Sequence, residues 1–223
     1  MSDAYPELER RPLTTRRLAV SKALAGVVAA TGITPNAISV AGLVSGILAG
    51  VSLALTAHAP VPIWWWLGGA LLIQLRLLAN MLDGMVALET GKHSRVGELF
   101  NEVPDRVSDA AILIGLGYAA GSSPTAGYIA ACVSLFVAYV RAMGKAAGAP
   151  QDFCGPMAKP QRMFFATAVS LWCGLCPAAW LTWGGVGAPV LMLGLIVVGG
   201  AFTTVRRLIR VGRVLRSGEE AGR

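Results

Sequence analysis

The sequence predicts an all-α, polytopic membrane protein, with six transmembrane helices and an N-terminal amphipathic helix in the interface. Three observations carry that expectation. Of 223 residues, 55% are hydrophobic and only 14% charged, with a mean hydropathy of +0.61. An ordinary soluble domain carries roughly a quarter charged residues. Six stretches approach the roughly 20 apolar residues that a helix needs to cross about 30 Å of hydrocarbon. Finally, Lys and Arg collect in alternate connections. The same composition excludes a disordered, collagenous or disulfide-stapled chain.

The elements follow in order. Residues 14–28, with Leu13 just before them, mix Val20, Leu24 and Val27 with Arg16, Arg17 and Lys22, the pattern of a helix lying beside anionic headgroups; a solvated basic tail is the alternative. The first 22 residues have no apolar core of a cleaved signal peptide. Long uncharged runs at 37–57, 163–183 and 186–205 read as spans, and 61–82, which contains Arg76, and 124–140 as two more. The sixth reaches membrane length only by starting near Glu98 and carrying Asp105 and Asp109 with it, and ionisable residues in such helices face polar cavities.

Cations lie at the N-terminus, at Lys92, Arg95 and Arg106, at Arg141, Lys145, Lys159 and Arg162, and from Arg206 to Arg216. The connections near His58, Ser122 and Gly184 contain none. The positive-inside rule therefore predicts both termini on the cytoplasmic side of a cytoplasmic (inner) membrane. The expected organisation is a cytoplasmic segment at 1–30, a six-helix domain at 31–206 and a basic tail at 207–223. Gly42, Gly46 and Gly50 recur every four residues, the small-residue spacing that lets helices approach closely, within the bundle or across a homodimer seam. Cys132, Cys154, Cys173 and Cys176 read as reduced packing residues despite the C-x-x-C spacing of the last two.

The chemistry concentrates in residues 76–109, RLLANMLDGMVALETGKHSRVGELFNEVPDRVSD. On a helix Arg76, Asn80, Asp83 and Ala87 share one face, and Gly97, Asn101, Asp105 and Asp109 share a face of the next. Two such helices placed antiparallel bring two carboxylates and two carboxamides together at the cytoplasmic end. Hard oxygen ligands of this kind suit Mg²⁺, Mn²⁺ or Ca²⁺ rather than zinc.

This segment resembles the signature of the CDP-alcohol phosphotransferase family, D-x-x-D-G-x-x-A-R followed after about eight residues by G-x-x-x-D-x-x-x-D. The matching positions are Asn80, Asp83, Gly84, Ala87, Leu88, Gly97, Asn101 and Asp105, with the spacing kept throughout. Asn80 and Asn101 stand where the first and third aspartates would be, and Leu88 stands for the arginine. Thr34-Pro35-Asn36 resembles the family's stretch before the first span. Tyr139-Val140-Arg141-Ala142 and Pro160-Gln161-Arg162 resemble the acceptor-side loop of its branches that use phosphorylated alcohols.

The resemblance implies an enzyme of phospholipid synthesis that passes a phosphatidyl or phosphoalcohol group from a CDP-linked donor, CDP-diacylglycerol foremost, to a polar alcohol, releasing CMP. It also implies Mg²⁺ or Mn²⁺ held at Asp83, Asp105, Asn80 and Asn101, with Asp105 as the general base. Asp83, Gly84, Ala87, Gly97, Asn36 and Arg76 would meet the nucleotide, Arg76 replacing the missing arginine or pairing with Asp83. Arg141, Lys145 and Arg162 would bind the acceptor. Asp109 is read as a supporting carboxylate. No nucleic-acid partner is expected. The two asparagines halve the negative charge of a four-aspartate site, which favours one divalent ion over two. They also motivate an alternative, a catalytically silent lipid- or nucleotide-binding member.

Overall fold

In the computed structural model of the chain, residues 19–90 and 95–221 are described, with residues 95–101 and 218–221 described by their backbone alone. Arg10, Arg11, Arg16, Arg17 and Lys92, and the start of the expected interfacial helix, lie outside the described residues. Among the described residues seven α-helices follow in order: α1 (Ala19–Ala30), α2 (Pro35–Leu55), α3 (Ile63–Glu89), α4 (Arg95–Gly117), α5 (Pro124–Ala146), α6 (Lys159–Leu175) and α7 (Ala188–Ala221). A 3₁₀ turn at Ala178–Trp180 and an antiparallel ribbon of two-residue strands, β1 (Thr182–Trp183) and β2 (Val186–Gly187), link α6 to α7.

Two helix starts are written in the same chemistry. Thr34 and Ser123 each cap a helix by accepting a hydrogen bond from the backbone N–H three residues on, at Ala37 and Ala126, and each is followed by proline. Proline at that place gives up an N–H that the first turn leaves unpaired anyway.

Helices α2 to α7 close a ring of neighbours in the order α2, α3, α6, α7, α5, α4 and back to α2, with α1 resting on α3. The expected direct face-to-face packing of α3 on α4 is replaced by a different arrangement. Helix α2 lies against both, and α3 meets α4 only briefly. The reason is the glycine stripe. A Cβ at Gly46 would overlap Ser108, and one at Gly50 would overlap the Ala111 carbonyl oxygen, while Gly42 faces Ala79 at 3.0 Å. The stripe is therefore consumed inside the bundle, two glycines against α4 and one against α3, and is not a dimer seam. Gly50→Val is expected to cost about 1–3 kcal/mol, read as a lowered Tm of the detergent-purified protein; an unchanged Tm would contradict this packing.

One end of the bundle is filled by an apolar core that includes Leu53, Trp66, Ile73, Leu113, Leu116, Met163, Leu193 and Ile196. The other end holds buried Arg76, Asp83, Asp105, Asp109 and Arg162. Outward faces carry Val40, Val44, Ile47 and Val51 on α2, Leu71, Leu75 and Leu78 on α3, and Val198, Phe202 and Val205 on α7. Apolar faces this extensive match lipid rather than water. Pro35–Leu55, Ile63–Glu89, Pro124–Ala146 and Ala188–Ser217 are long and apolar enough to cross a membrane, and the protein is a multi-pass membrane protein.

Two helices depart most from the hydropathy reading. The run at 163–183 is not one helix: α6 starts earlier, at Lys159, and stops at Leu175. Pro177 disfavours helix in the residue before it, and Cys176 is extended. Helix α7 does not end near Val205 but runs on to Ala221, with Arg207 buried and donating to the Val137 and Cys154 carbonyls. All four cysteines are free thiols.

Candidate functional site

The polar end is assembled from four helices. Asp83, in the last turns of α3, is buried and held by neutral donors. The Ser39 hydroxyl donates to Oδ2 at 2.7 Å and the Gly84 N–H to Oδ1 at 2.5 Å. Ser39 is in place because the Thr34–Pro35 cap fixes where α2 begins.

Asp105 follows Pro104, which sits inside α4 and leaves a backbone carbonyl one turn back without its usual N–H partner. Its carboxylate is surrounded by donors. Oδ1 accepts from Asn80 Nδ2 at 2.6 Å and from Arg76 at 3.2 Å, and Oδ2 accepts from Lys159 Nζ. Arg106 stands 3.8 Å from Oδ2.

Behind it lies Asp109, paired through Oδ1 with Arg76 and through Oδ2 with Arg162 at 3.2 Å. Arg76 is fully buried; its Nε donates to Ser108 Oγ at 3.0 Å and its Nη2 also reaches the Asp105 carbonyl. Arg162 also donates to the Met157 carbonyl. Breaking one partner of such a buried set strands a charge in a medium that solvates it poorly.

A second cationic group lies on the same end. Arg141 pairs with Glu102 at 2.5 Å and its guanidinium sits 5.5 Å from the centre of the Phe153 ring. Asp152, in the loop between α5 and α6, accepts from the Cys154 N–H at 2.9 Å and faces Arg210 at 3.6 Å. Burial alone would raise the Asp152 carboxyl, but the hydrogen bonds from Cys154 and the charges of Arg210 and Arg207 outweigh it and hold it below the usual carboxylate range.

The residues singled out from sequence are thus distributed unevenly. Asn80, Asp83 and Asp105 come together, with Gly84 and Ala87 half-buried beside them. Asn36 is exposed in the first turn of α2, and Lys145 is exposed in the last turn of α5. The side-chain surroundings of Gly97 and Asn101 lie outside the described residues. Two placements overturn their expectations. Arg76 is sealed behind Asp105 and Asp109, with no exposed surface for a nucleotide and no pairing with Asp83. Arg162 is buried against Asp109 rather than open to an acceptor.

The sequence does not single out Lys159 and Ser39, which touch the carboxylates, or Ser108, which accepts from Arg76 and donates to the Asp105 backbone carbonyl. Lys159 lies 54 residues from Asp105, a separation invisible to helical periodicity. Its signal was topological: the proline at 160 marks a helix start at the same end as the start of α4.

A sequence model described as CDP-alcohol phosphatidyltransferase matches residues 32–204. A phosphatidylinositol phosphate synthase of Mycobacteroides abscessus is 27% identical over 167 residues, 72% of each chain. The inner membrane protein YnbA of Escherichia coli is 27% identical over 157 residues, 69% of this chain and 74% of its own. The phosphatidylinositol phosphate synthase of Mycobacterium tuberculosis shares the fold. Its crystal structure with CDP-DAG bound covers 87% of this chain and 94% of its own at 23% identity and a TM-score of 0.67. Its complex with manganese and citrate covers 86% and 88% at 24% identity and a TM-score of 0.69. The chain belongs to the CDP-alcohol phosphatidyltransferase family, whose members use divalent metal, and it is a membrane transferase that moves a phosphatidyl-type group from a CDP-linked donor to an alcohol.

Proposed function

We propose that the protein transfers the phosphatidyl group of CDP-diacylglycerol to a phosphorylated alcohol, at a site built on Asp83 and Asp105 in the cytoplasmic leaflet. The observation that carries this reading is the meeting of Asn80, Asp83 and Asp105 at the cation-rich end of the bundle, in the spacing of the family motif. All six helices α2 to α7 cross the membrane, both termini are cytoplasmic, and α1 lies in the interface. The exposure of Val20, Leu24 and Val27 on α1 supports that placement.

The donor set fits one divalent ion. The Asp83 carboxylate is hydrogen-bonded by neutral groups alone, which leaves it without a salt-bridge partner, and the Asn80 carboxamide stands one turn away; Asn101 is the further position that the family motif assigns to the set. All are hard oxygen donors. A second ion at Asp105 does not fit, because both oxygens of that carboxylate already accept from Arg76, Asn80 and Lys159. When bound, a divalent ion neutralises charge on the departing phosphate.

The chain's own groups do the rest. Asp105 accepts the proton of the attacking hydroxyl, while the new P–O bond forms and the bond to CMP breaks. Arg76 and Asn80 hold its carboxylate in place. Gly84 and Ala87 give the nucleotide close approach, and Asn36 lies at the rim of its pocket. Arg141 and Lys145 meet the phosphate of the acceptor; guanidinium and ammonium groups suit such an anion, and the relatives named phosphatidylinositol phosphate synthase support a phosphorylated alcohol.

The test is CMP release by purified protein from CDP-diacylglycerol with Mg²⁺ or Mn²⁺, across paired phosphorylated and unphosphorylated alcohols. Release with the phosphorylated members is expected. Arg141→Ala should raise the acceptor KM about tenfold, the loss of one charge-assisted contact, with the donor KM little changed. Equal effects on both, or a preference for unphosphorylated alcohols, would overturn the acceptor assignment.

A further inference from the structure

We infer that the Lys159 ammonium takes the place of a second divalent ion, contacting the donor diphosphate directly, so that the site works with a single metal. This rests on the transfer reading above. Lys159 is paired with Asp105 Oδ2, and it lies near enough to Asp83 to interact with it electrostatically. Of the cations around Asp105 and Asp109, Arg76 and Arg162 are sealed in, with side chains 0% and 2% exposed, and Arg106 is engaged by Glu102 at 3.0 Å, whereas the Lys159 side chain is 22% exposed and can meet a ligand.

Local structure does not ask for a lysine there. Lys159 is the first residue of α6, where the helix dipole disfavours a cation. Its place is explained by the carboxylate opposite it.

Charge decides the metal count. The buried acids Asp83, Asp105 and Asp109 are matched in number by Arg76, Lys159 and Arg162, and Arg106 beside them is matched by Glu102, so this set is neutral before any metal binds. A donor diphosphate diester brings two negative charges, which one divalent ion cancels. A second ion would leave a surplus of two positive charges at low dielectric, an expensive state. When the diphosphate arrives, Lys159 turns from Asp105 to phosphate oxygen, which frees Oδ2 to face the acceptor hydroxyl. A lysine is suited to that exchange, being a compact charge on a flexible stem.

The experiment counts Mn²⁺ by electron paramagnetic resonance on the full-length protein in detergent, with CDP as the diphosphate probe. One Mn²⁺ per chain is expected for the wild type. Lys159→Met should uncover Asp105 and either admit a second Mn²⁺ or tighten binding about tenfold, the scale of removing one nearby charge. Lys159→Arg, which keeps the charge, should count as the wild type does. Two Mn²⁺ in the wild type, or a Lys159→Met protein with unchanged count and affinity, overturns the inference while leaving the transfer reading intact. No Mn²⁺ at all with CDP present overturns both.

Discussion

Asp105→Asn is expected to lower CMP release by about 10²- to 10⁴-fold, the range in which a positioned general base contributes. Asparagine keeps the shape of the side chain and an oxygen that still accepts from Arg76, but it takes no proton. The loss should fall on kcat, with donor KM changed little, because Asp105 faces the attacking hydroxyl rather than the nucleotide. Asp105→Ala is a poorer probe. It would also strand Lys159 and leave Arg76 with Asp109 alone, since both cations donate to that carboxylate. Single-turnover measurement of the asparagine variant, with a Tm close to the wild type, separates chemistry from folding. Wild-type turnover in Asp105→Asn would remove it from the role of base.

Asp109→Ala is expected to act on stability instead, costing about 3–5 kcal/mol because it leaves Arg162 buried without a counter-charge and Arg76 with Asp105 alone. In detergent this should appear as a large fall in Tm and as poor yield. The comparison is Glu102→Ala. Glu102 also carries two ion pairs, but its side chain is 51% exposed, so its removal should change stability by no more than about 1 kcal/mol. Asp109→Ala with a wild-type Tm would show that the guanidinium ladder does not hold the polar end together.

These two aspartates also show how far the sequence could be read. Their spacing on α4, and that of Asn80 and Asp83 on α3, follows from helical periodicity, and the apolar runs locate the starts of the helices to within about a turn but miss most of their ends. The glycine stripe on α2 was recognisable as a close-packing surface, though not which helix it packs against.

What was hidden is long-range. No periodicity connects Lys159 with Asp105, Arg162 with Asp109 or Ser39 with Asp83, because each pair joins different helices whose neighbours are set by the ring order. Arg76 illustrates the consequence. Its position on the motif face suggested phosphate contact, yet that face turns inward toward Asp105 and Asp109, where α4 closes against α2 through Gly46 and Gly50. Hydropathy failed at α6 for another reason: it scores residues 176–183 as apolar but cannot register that Pro177 ends the helix.

The most direct test of the account follows the phosphorus atom. CDP-diacylglycerol carrying ³²P on its lipid-side phosphate is given to the purified protein with Mn²⁺ and a phosphorylated alcohol. The label should move into a new, more polar lipid that forms only when acceptor and metal are both present, with unlabelled CMP released in equal amount. Asp105→Asn should leave the label in the donor. Label that stays in the donor with the wild-type protein across the acceptor panel, or CMP released equally well without any acceptor, would contradict transfer at this site.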